Sequence, residues 1–195
     1  KPVDLLIPRT SRWASQRSMM GHFAISDVKA GKFHRFERLS RVALGLAGSS
    51  RGPKLAWVED WTIEMPSPDH FELRAAAEGA SLKLSMESLK APVLQGQDGY
   101  SRKGDRPEES SYYYSLTRLR TRGEILGQTV QGTSWMDREW STQPLGKEMA
   151  GWDWFALQLG DGCELMYYQL RDKQGRATRW SAGSWVAADG KVTRL

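Results

Sequence analysis

Ten residues in the second half of the chain, GTSWMDREWS at positions 132–141, combine the side-chain types that acid–base chemistry uses. Asp137 and Glu139 carry carboxylates, Arg138 lies between them, and Trp135 and Trp140 flank the group. Side chains alternate between the two faces of a β-strand, so Trp135, Asp137 and Glu139 are predicted to share one face and Arg138 and Trp140 the other. We therefore take Asp137, Glu139 and Arg138 as candidate catalytic residues, with a carboxylate as general acid.

The same three charges also have a structural interpretation, because an arginine beside two carboxylates commonly forms ion pairs. An exposed pair contributes about 0–1 kcal/mol to stability, whereas removing one partner of a buried pair costs about 3–5 kcal/mol. The sequence leaves both interpretations open.

Aromatic residues are unusually frequent, with nine tryptophans in 195 residues. Indole and phenol rings combine a large apolar area with one polar group, which suits a long apolar ligand with few functional groups. Rings that only close the ends of a β-barrel would give the same pattern. The candidate ligand-binding residues are Trp135, Trp140, Trp152, Trp154, Tyr167, Tyr168 and Tyr114.

Other kinds of chemistry receive little support. The three histidines, His22, His34 and His70, lie in separate segments without the spacing of a metal site, and we predict neither a metal nor a cofactor. The chain contains no G-x-S-x-G nucleophile motif and no P-loop. The single cysteine, Cys163, is predicted to be a buried inert thiol, with a reactive thiol as the alternative.

Charge and hydropathy limit the partners. The net charge of +5 arises from 28 basic and 23 acidic residues that are interspersed along the chain, so we predict no nucleic-acid partner. No apolar run approaches the roughly 18 residues of a membrane span. The expected partner is an apolar small molecule or a lipid, and the oligomeric state is not predicted.

Short alternating runs between turn residues predict an all-β chain, either a sandwich or an up-and-down barrel. The predicted strands include GHFAISDV, WVEDWTIEM, HFELRAAAEG and ASLKLSMESL, followed by a long loop at 89–111 and two strands around Arg122 and Gly123. Further turns are predicted at 160–162, 172–175 and 188–190.

Four segments, GHFAISD, YYYSLTRL, GTSWMDREWS and GWDWFALQLGDGCELMYYQLR, resemble the family that groups carotenoid 1,2-hydratases with AttH-like predicted secreted hydrolases of bacteria. The resemblance implies tandem lipocalin-like antiparallel β-barrel domains. These would be 1–122, incomplete at its N-terminus, and 123–195, incomplete at its C-terminus, so that the chain is expected to be a fragment.

The same resemblance implies an isoprenoid-like or lipid-like ligand and a periplasmic or otherwise secreted location with peripheral association with the cell envelope. It leaves the activity open. Hydratase (hydro-lyase), cyclase (isomerase) or hydrolase-type turnover is one alternative, and a non-catalytic envelope carrier or interaction module associated with a transport system is the other.

Two departures from the family pattern weaken a hydratase assignment. Asp137 and Trp140 match an Asp-His pair followed by a tryptophan, but Arg138 stands where the resemblance expects the histidine. A second acidic residue is expected near a tyrosine on a later strand, where this chain has Gln169 beside Tyr168. An amide cannot protonate an unactivated alkene.

Overall fold

The computed structural model describes residues 10–15, 17–143 and 145–195, which form fifteen β-strands and no helix. The strands are β1 (Ser18–Asp27), β2 (Lys32–Arg41), β3 (Ala47–Ser49), β4 (Lys54–Val58), β5 (Trp61–Ser67), β6 (His70–Ala77), β7 (Ala80–Ser88), β8 (Val93–Leu94), β9 (Tyr100–Arg102), β10 (Ser110–Ile125), β11 (Gln128–Trp140), β12 (Met149–Gln158), β13 (Glu164–Asp172), β14 (Ala182–Val186) and β15 (Val192–Arg194). Among these residues, no helix has the length and apolarity to span a membrane.

Three sheets account for all of these strands. Strands β1 and β2 form an antiparallel hairpin, and β12 to β15 form a four-stranded antiparallel meander in chain order. The third sheet has the order β11-β10-β7-β6-β5-β4-β3, with β8 and β9 also paired to β10. Strands that pair in chain order, such as β12 to β15, can be joined by short turns, and the recurring glycine and aspartate residues of the sequence predict such turns.

The chain divides into two compact units that share no simple boundary in the sequence. Unit 1 comprises Lys1–Glu87 and Thr121–Gly132, and unit 2 comprises Ser88–Arg120 and Thr133–Leu195. Strands β10 and β11 therefore contribute residues to both units. The domain division between residues 122 and 123 stays a prediction.

Unit 1 has a core built from alternating positions of its hairpins. Phe23, Trp61, Ala75 and Ala80 are buried together, and the Phe23 ring meets the Trp61 ring edge-on at 5.7 Å. The Trp61 indole N–H donates to the backbone oxygen of Ala76 at 2.8 Å, which satisfies the one polar group of this side chain.

Unit 2 has a separate core from β10 and β13. Tyr113, Met166, Tyr168 and Leu170 are buried against one another, and partly buried rings and aliphatic side chains pack around them. The β13 residues at even positions 164–170 are buried, whereas their neighbours are partly exposed, as the period of two requires.

Two predicted strand boundaries are wrong, and turn chemistry explains both. The run WVEDWTIEM is a hairpin rather than one strand, because β4 pairs with β5 from Val58 and Trp61 across the turn Glu59-Asp60. Glu59 adopts a positive φ of 58°. A two-residue hairpin turn needs such an angle, which Gly, Asn and Asp adopt most readily. The residue with this angle here is a glutamate, so the sequence contains no clear signal for a turn at this position.

The predicted turn at Arg122 and Gly123 is also wrong, since β10 continues to Ile125 and the chain reverses at Leu126 and Gly127. Both turn residues have positive φ, 53° and 73°, as a two-residue hairpin requires. Gly123 instead allows a close backbone approach within unit 1, because a Cβ there would collide with the carbonyl oxygen of Lys83.

The remaining turn predictions agree with the structure, with one partial exception. The turns at 160–162, 172–175 and 188–190 are present between β12, β13, β14 and β15. The long loop predicted at 89–111 is interrupted by the short strands β8 and β9, and its last two residues already belong to β10. Strands of two and three residues are too short for their alternation to be recognised in a sequence.

Candidate functional site

The predicted catalytic carboxylates, Asp137 and Glu139, lie on β11 and accept hydrogen bonds from two serines of β10. Asp137 Oδ1 accepts hydrogen bonds from Ser115 Oγ at 2.6 Å and from Trp135 Nε1 at 2.9 Å. Glu139 Oε1 accepts one from Ser111 Oγ at 2.5 Å. The contact between Trp135 and Asp137 agrees with their predicted position on a common strand face.

Arg138 and Trp140 make their contacts with a different set of β10 residues. The Arg138 guanidinium donates to Tyr114 Oη at 3.3 Å. The Trp140 ring stacks on Tyr112 with centroids 5.8 Å apart and meets Tyr114 edge-on at 6.4 Å. Trp140 is 52% exposed, so this aromatic group covers the outside of the strands rather than the walls of a cavity.

A cavity of about 380 Å³ lies within unit 2. Its lining residues are Lys103, Glu109, Ser110, Tyr113, Glu139, Ser141, Gln143, Leu145, Trp152, Trp154, Tyr168 and Leu170. Four of the predicted site residues, Glu139, Trp152, Trp154 and Tyr168, therefore meet in one place. The other six are not part of the lining: Asp137, Arg138, Trp135, Trp140, Tyr114 and Tyr167.

Tyr113 links the cavity to Asp137. Its side chain is 3% exposed, and its hydroxyl accepts a hydrogen bond from Trp154 Nε1 at 3.2 Å. Burial, and after it the negative charge of Asp137, raises the pKa of Tyr113 well above the ordinary 10.0. Tyr113 is therefore a neutral phenol at physiological pH, and it stands between the cavity and a carboxylate that is itself exposed to solvent.

Lys103 provides a cation at the same cavity. Its ammonium lies 3.1 Å from Glu139 Oε1, 3.9 Å from the centroid of the Tyr168 ring and 5.4 Å from that of Tyr113. The Lys103 side chain is only 14% exposed, so its cation–π contacts are largely shielded from water, whereas its ion-pair partner Glu139 is 41% exposed. Sequence reasoning missed Lys103 because it lies in the segment predicted as a loop.

A second buried carboxylate, Glu164 on β13, was also missed. Its side chain is fully buried, with Lys90 Nζ at 2.8 Å and Arg118 Nε at 2.5 Å. Lys90 Nζ also donates to the backbone oxygens of Gly162 and Ala187, both at 2.7 Å. Every charge in this group has several partners, which is typical of a structural ion-pair network.

Cys163 is partly exposed rather than buried as predicted, because it lies in the turn before β13 and not within the strand. Within 10–15, 17–143 and 145–195, no three His, Cys, Asp or Glu side chains are grouped so that they could hold a metal ion.

Comparison with known proteins bears on the fold and the family. The family model described as AttH-like matches residues 5–195. A solved structure of a provisional AttH from Nitrosomonas europaea has 32% identity and a TM-score of 0.82, with 91% of this chain and 57% of that chain covered. Kievitone hydratase from Nectria haematococca has a TM-score of 0.69 at 13% identity, with 90% of this chain and 54% of that chain covered. No curated protein matches the chain.

These likenesses confirm the predicted all-β fold class and the predicted resemblance. At 13% identity, the likeness to kievitone hydratase concerns the fold alone. The chain spans a little over half the length of the two solved chains.

Proposed function

We propose that this chain, which belongs to the AttH-like family, binds a small and largely apolar molecule in the cavity of unit 2. The observation that carries the proposal is the make-up of the cavity wall, in which Trp152, Trp154, Leu145 and Leu170 occur together with the charged residues Lys103, Glu109 and Glu139. Ligand pockets of roughly 300–1,000 Å³ typically combine apolar walls with a few polar groups that orient the ligand.

Apolar burial would supply most of the affinity. The two indoles are partly solvent-exposed, Trp152 at 59% and Trp154 at 43%. Covering such rings with an apolar ligand removes apolar area from water at roughly 25 cal/mol per Å². The cavity volume suits a compact ring system or one portion of a longer isoprenoid-like or lipid-like chain.

A fluorescence titration tests the proposal. Diphenylhexatriene, an apolar polyene that accepts excitation energy from tryptophan, is added to the intact protein while indole emission is recorded. We expect saturable quenching that is reduced in Trp154→Phe and in Trp152→Phe. The matched control is Trp185→Phe, which removes an indole of unit 2 outside the cavity lining and should leave the affinity unchanged. Unaltered emission of the intact protein with this probe and with lipid extracts would favour an interaction module.

Turnover of the bound molecule is a second proposal, supported by the position of Tyr113. The neutral phenol of Tyr113 lines the cavity beside Asp137, so the two side chains are placed to orient a ligand hydroxyl or a water molecule by hydrogen bonds, whereas the raised pKa makes the phenol itself a weak proton donor. A non-catalytic carrier in the cell envelope remains the alternative. Mass spectrometry of small molecules that co-purify with the intact protein, before and after incubation, separates the two: a carrier returns its ligand unchanged.

A further inference from the structure

Unit 2 contains a second cavity, which shares one wall residue with the cavity of the proposed ligand site. The first cavity has a volume of about 380 Å³ and the second a volume of about 350 Å³. The second is lined by residues that include Gln95, Met166 and Ala182. Tyr168 lines both cavities, and no other described residue does. Tyr168 is therefore the point at which the two cavities meet.

Strand β13 passes along both cavities with a single face. Tyr168 and Leu170 line the first cavity, and Met166 and Tyr168 line the second. Tyr167 and Gln169 line neither. Alternate residues of a strand point to the same face, so the skipped positions indicate that side chains of β13, rather than its backbone, form these walls. The Tyr168 side chain therefore lies at the boundary between the cavities.

Two polar contacts hold the Tyr168 side chain at this boundary. Its hydroxyl is hydrogen-bonded to Ser101 Oγ at 2.9 Å, and Ser101 is 1% exposed. The Lys103 ammonium lies 3.9 Å from the centroid of its ring. Turning the ring away would break a hydrogen bond between two buried hydroxyls and remove the cation–π contact, which makes Tyr168 a fixed wall.

We infer that Tyr168 sets the length of the ligand that the first cavity can bury. The apolar body of the ligand lies against Trp152 and Trp154 and ends at the Tyr168 ring, so the second cavity is closed to it. A short or compact apolar molecule is then buried over its whole length, whereas a longer chain leaves its remainder in solvent. This inference rests on the proposed function and adds the residue that determines its specificity.

A series of ligands of increasing length tests the inference on the intact protein. Isothermal titration calorimetry is performed with the primary alkanols from 1-butanol to 1-tetradecanol. Each further methylene group that is buried should raise the affinity about fourfold. We expect the affinity to rise with chain length and then to reach a plateau, at the length at which the chain meets Tyr168. An affinity that keeps rising by the same factor up to 1-tetradecanol would overturn the inference.

Substitutions at Tyr168 assign the plateau to its ring. Tyr168→Leu removes the ring, so the plateau should move to longer alkanols, and alkanols that the unmodified protein binds equally should differ fourfold or more. Tyr168→Phe keeps the ring and loses only the hydrogen bond to Ser101, so the plateau should stay where it is. The matched control is Tyr167→Leu, an adjacent tyrosine outside both linings, which should also leave the plateau in place.

The second cavity offers a test that keeps Tyr168 itself. Ala182 lines this cavity and is the β14 partner of Tyr168 in the strand register. Ala182→Leu makes the second cavity smaller, so it should leave the plateau of the otherwise unmodified protein unchanged and cancel the gain of Tyr168→Leu. Should Tyr168→Leu not fold, as judged by circular dichroism, the Ala182→Leu variant decides. A plateau at shorter alkanols in this variant means that the chain passes Tyr168, which overturns the inference.

The outcomes separate the inference from the proposal on which it rests. A plateau at the same chain length in folded Tyr168→Leu overturns the role of Tyr168, while apolar binding in the first cavity stands. Absence of binding by every alkanol of the series overturns both.

Discussion

Carboxylates in this chain differ mainly in what surrounds them. Glu164 is fully buried and held by two cations, Glu139 is paired with one cation at the cavity, and Asp137 is exposed and held by a hydroxyl and an indole N–H. A carboxylate that is buried with its cations stabilises the fold, whereas one at a cavity is available to a ligand. These surroundings suggest a different experiment for each residue.

Replacing Glu164 tests the structural role of the buried network. Glu164→Gln leaves Lys90 and Arg118 buried without their anion, so the free energy of unfolding should fall by about 3–5 kcal/mol. Chemical denaturation followed by tryptophan fluorescence measures the change. Glu148→Gln is the matched control, because this side chain is 86% exposed and its ion pair with Lys173 should contribute little. Equal stability of the two variants would contradict the structural role.

Replacing Asp137 tests its coupling to Tyr113. Asp137→Asn should retain the fold, because Ser115 and Trp135 can still donate to the amide oxygen. Removal of the negative charge should lower the pKa of Tyr113, although that pKa should stay above 10.0 because burial is the larger cause. Nuclear magnetic resonance titration of labelled tyrosine carbons measures it, and an unchanged pKa would show that Asp137 does not act on the phenol.

The raised pKa of Tyr113 also has a consequence for stability. The unfolded chain releases the phenol proton near pH 10.0, before the folded chain does. The contribution of the neutral phenol to stability is therefore complete below that pH and is lost as the pH rises through the folded-state value. Tyr113→Phe should make the free energy of unfolding less dependent on pH in this alkaline range.

At the scale of elements, two long strands carry the site. Strand β10 supplies Ser111, Tyr113 and Ser115, and β11 supplies Asp137 and Glu139. Both strands also extend into unit 1, where Gly123 lies against the backbone of Lys83. A residue without a side chain at position 123 is thus needed for β10 to run unbroken over its sixteen residues.

Gly123→Ala tests this requirement. A methyl group at residue 123 would collide with the Lys83 carbonyl, and the residue has a φ of 152°, so we expect a loss of roughly 1–3 kcal/mol in the free energy of unfolding. Gly132→Ala on β11 is the matched control, because no atom lies within 4 Å of a Cβ there. Thermal unfolding compares the two variants, and equal melting temperatures would show that the strand can move to accept the methyl group.

At the scale of the whole molecule, each compact unit has its own aromatic core, centred on Phe23 and Trp61 in unit 1 and on Tyr113 and Tyr168 in unit 2. The proposed ligand site uses residues of unit 2 alone. Since the chain spans little more than half of the solved AttH and kievitone hydratase chains, the activity and substrates of a whole protein of this family remain proposals for this one.

The sequence by itself determined the fold class and the family. Alternation with a period of two depends only on neighbouring residues, and so do the tight turns that contain glycine and aspartate, which is why most strands of β12 to β15 could be predicted. The same local pattern predicted that Trp135 and Asp137 share a face.

Only the tertiary structure decided which of these residues meet. Lys103 comes from an irregular segment and Tyr113 from a run of three tyrosines, and neither has a local signal that points to Glu139 or Trp154. Pairing between distant strands sets such contacts, and a shift of one residue in strand register would move Tyr113 to the opposite face. For that physical reason the cavity, its ion pair and the position of Asp137 outside its lining could not be read from the sequence.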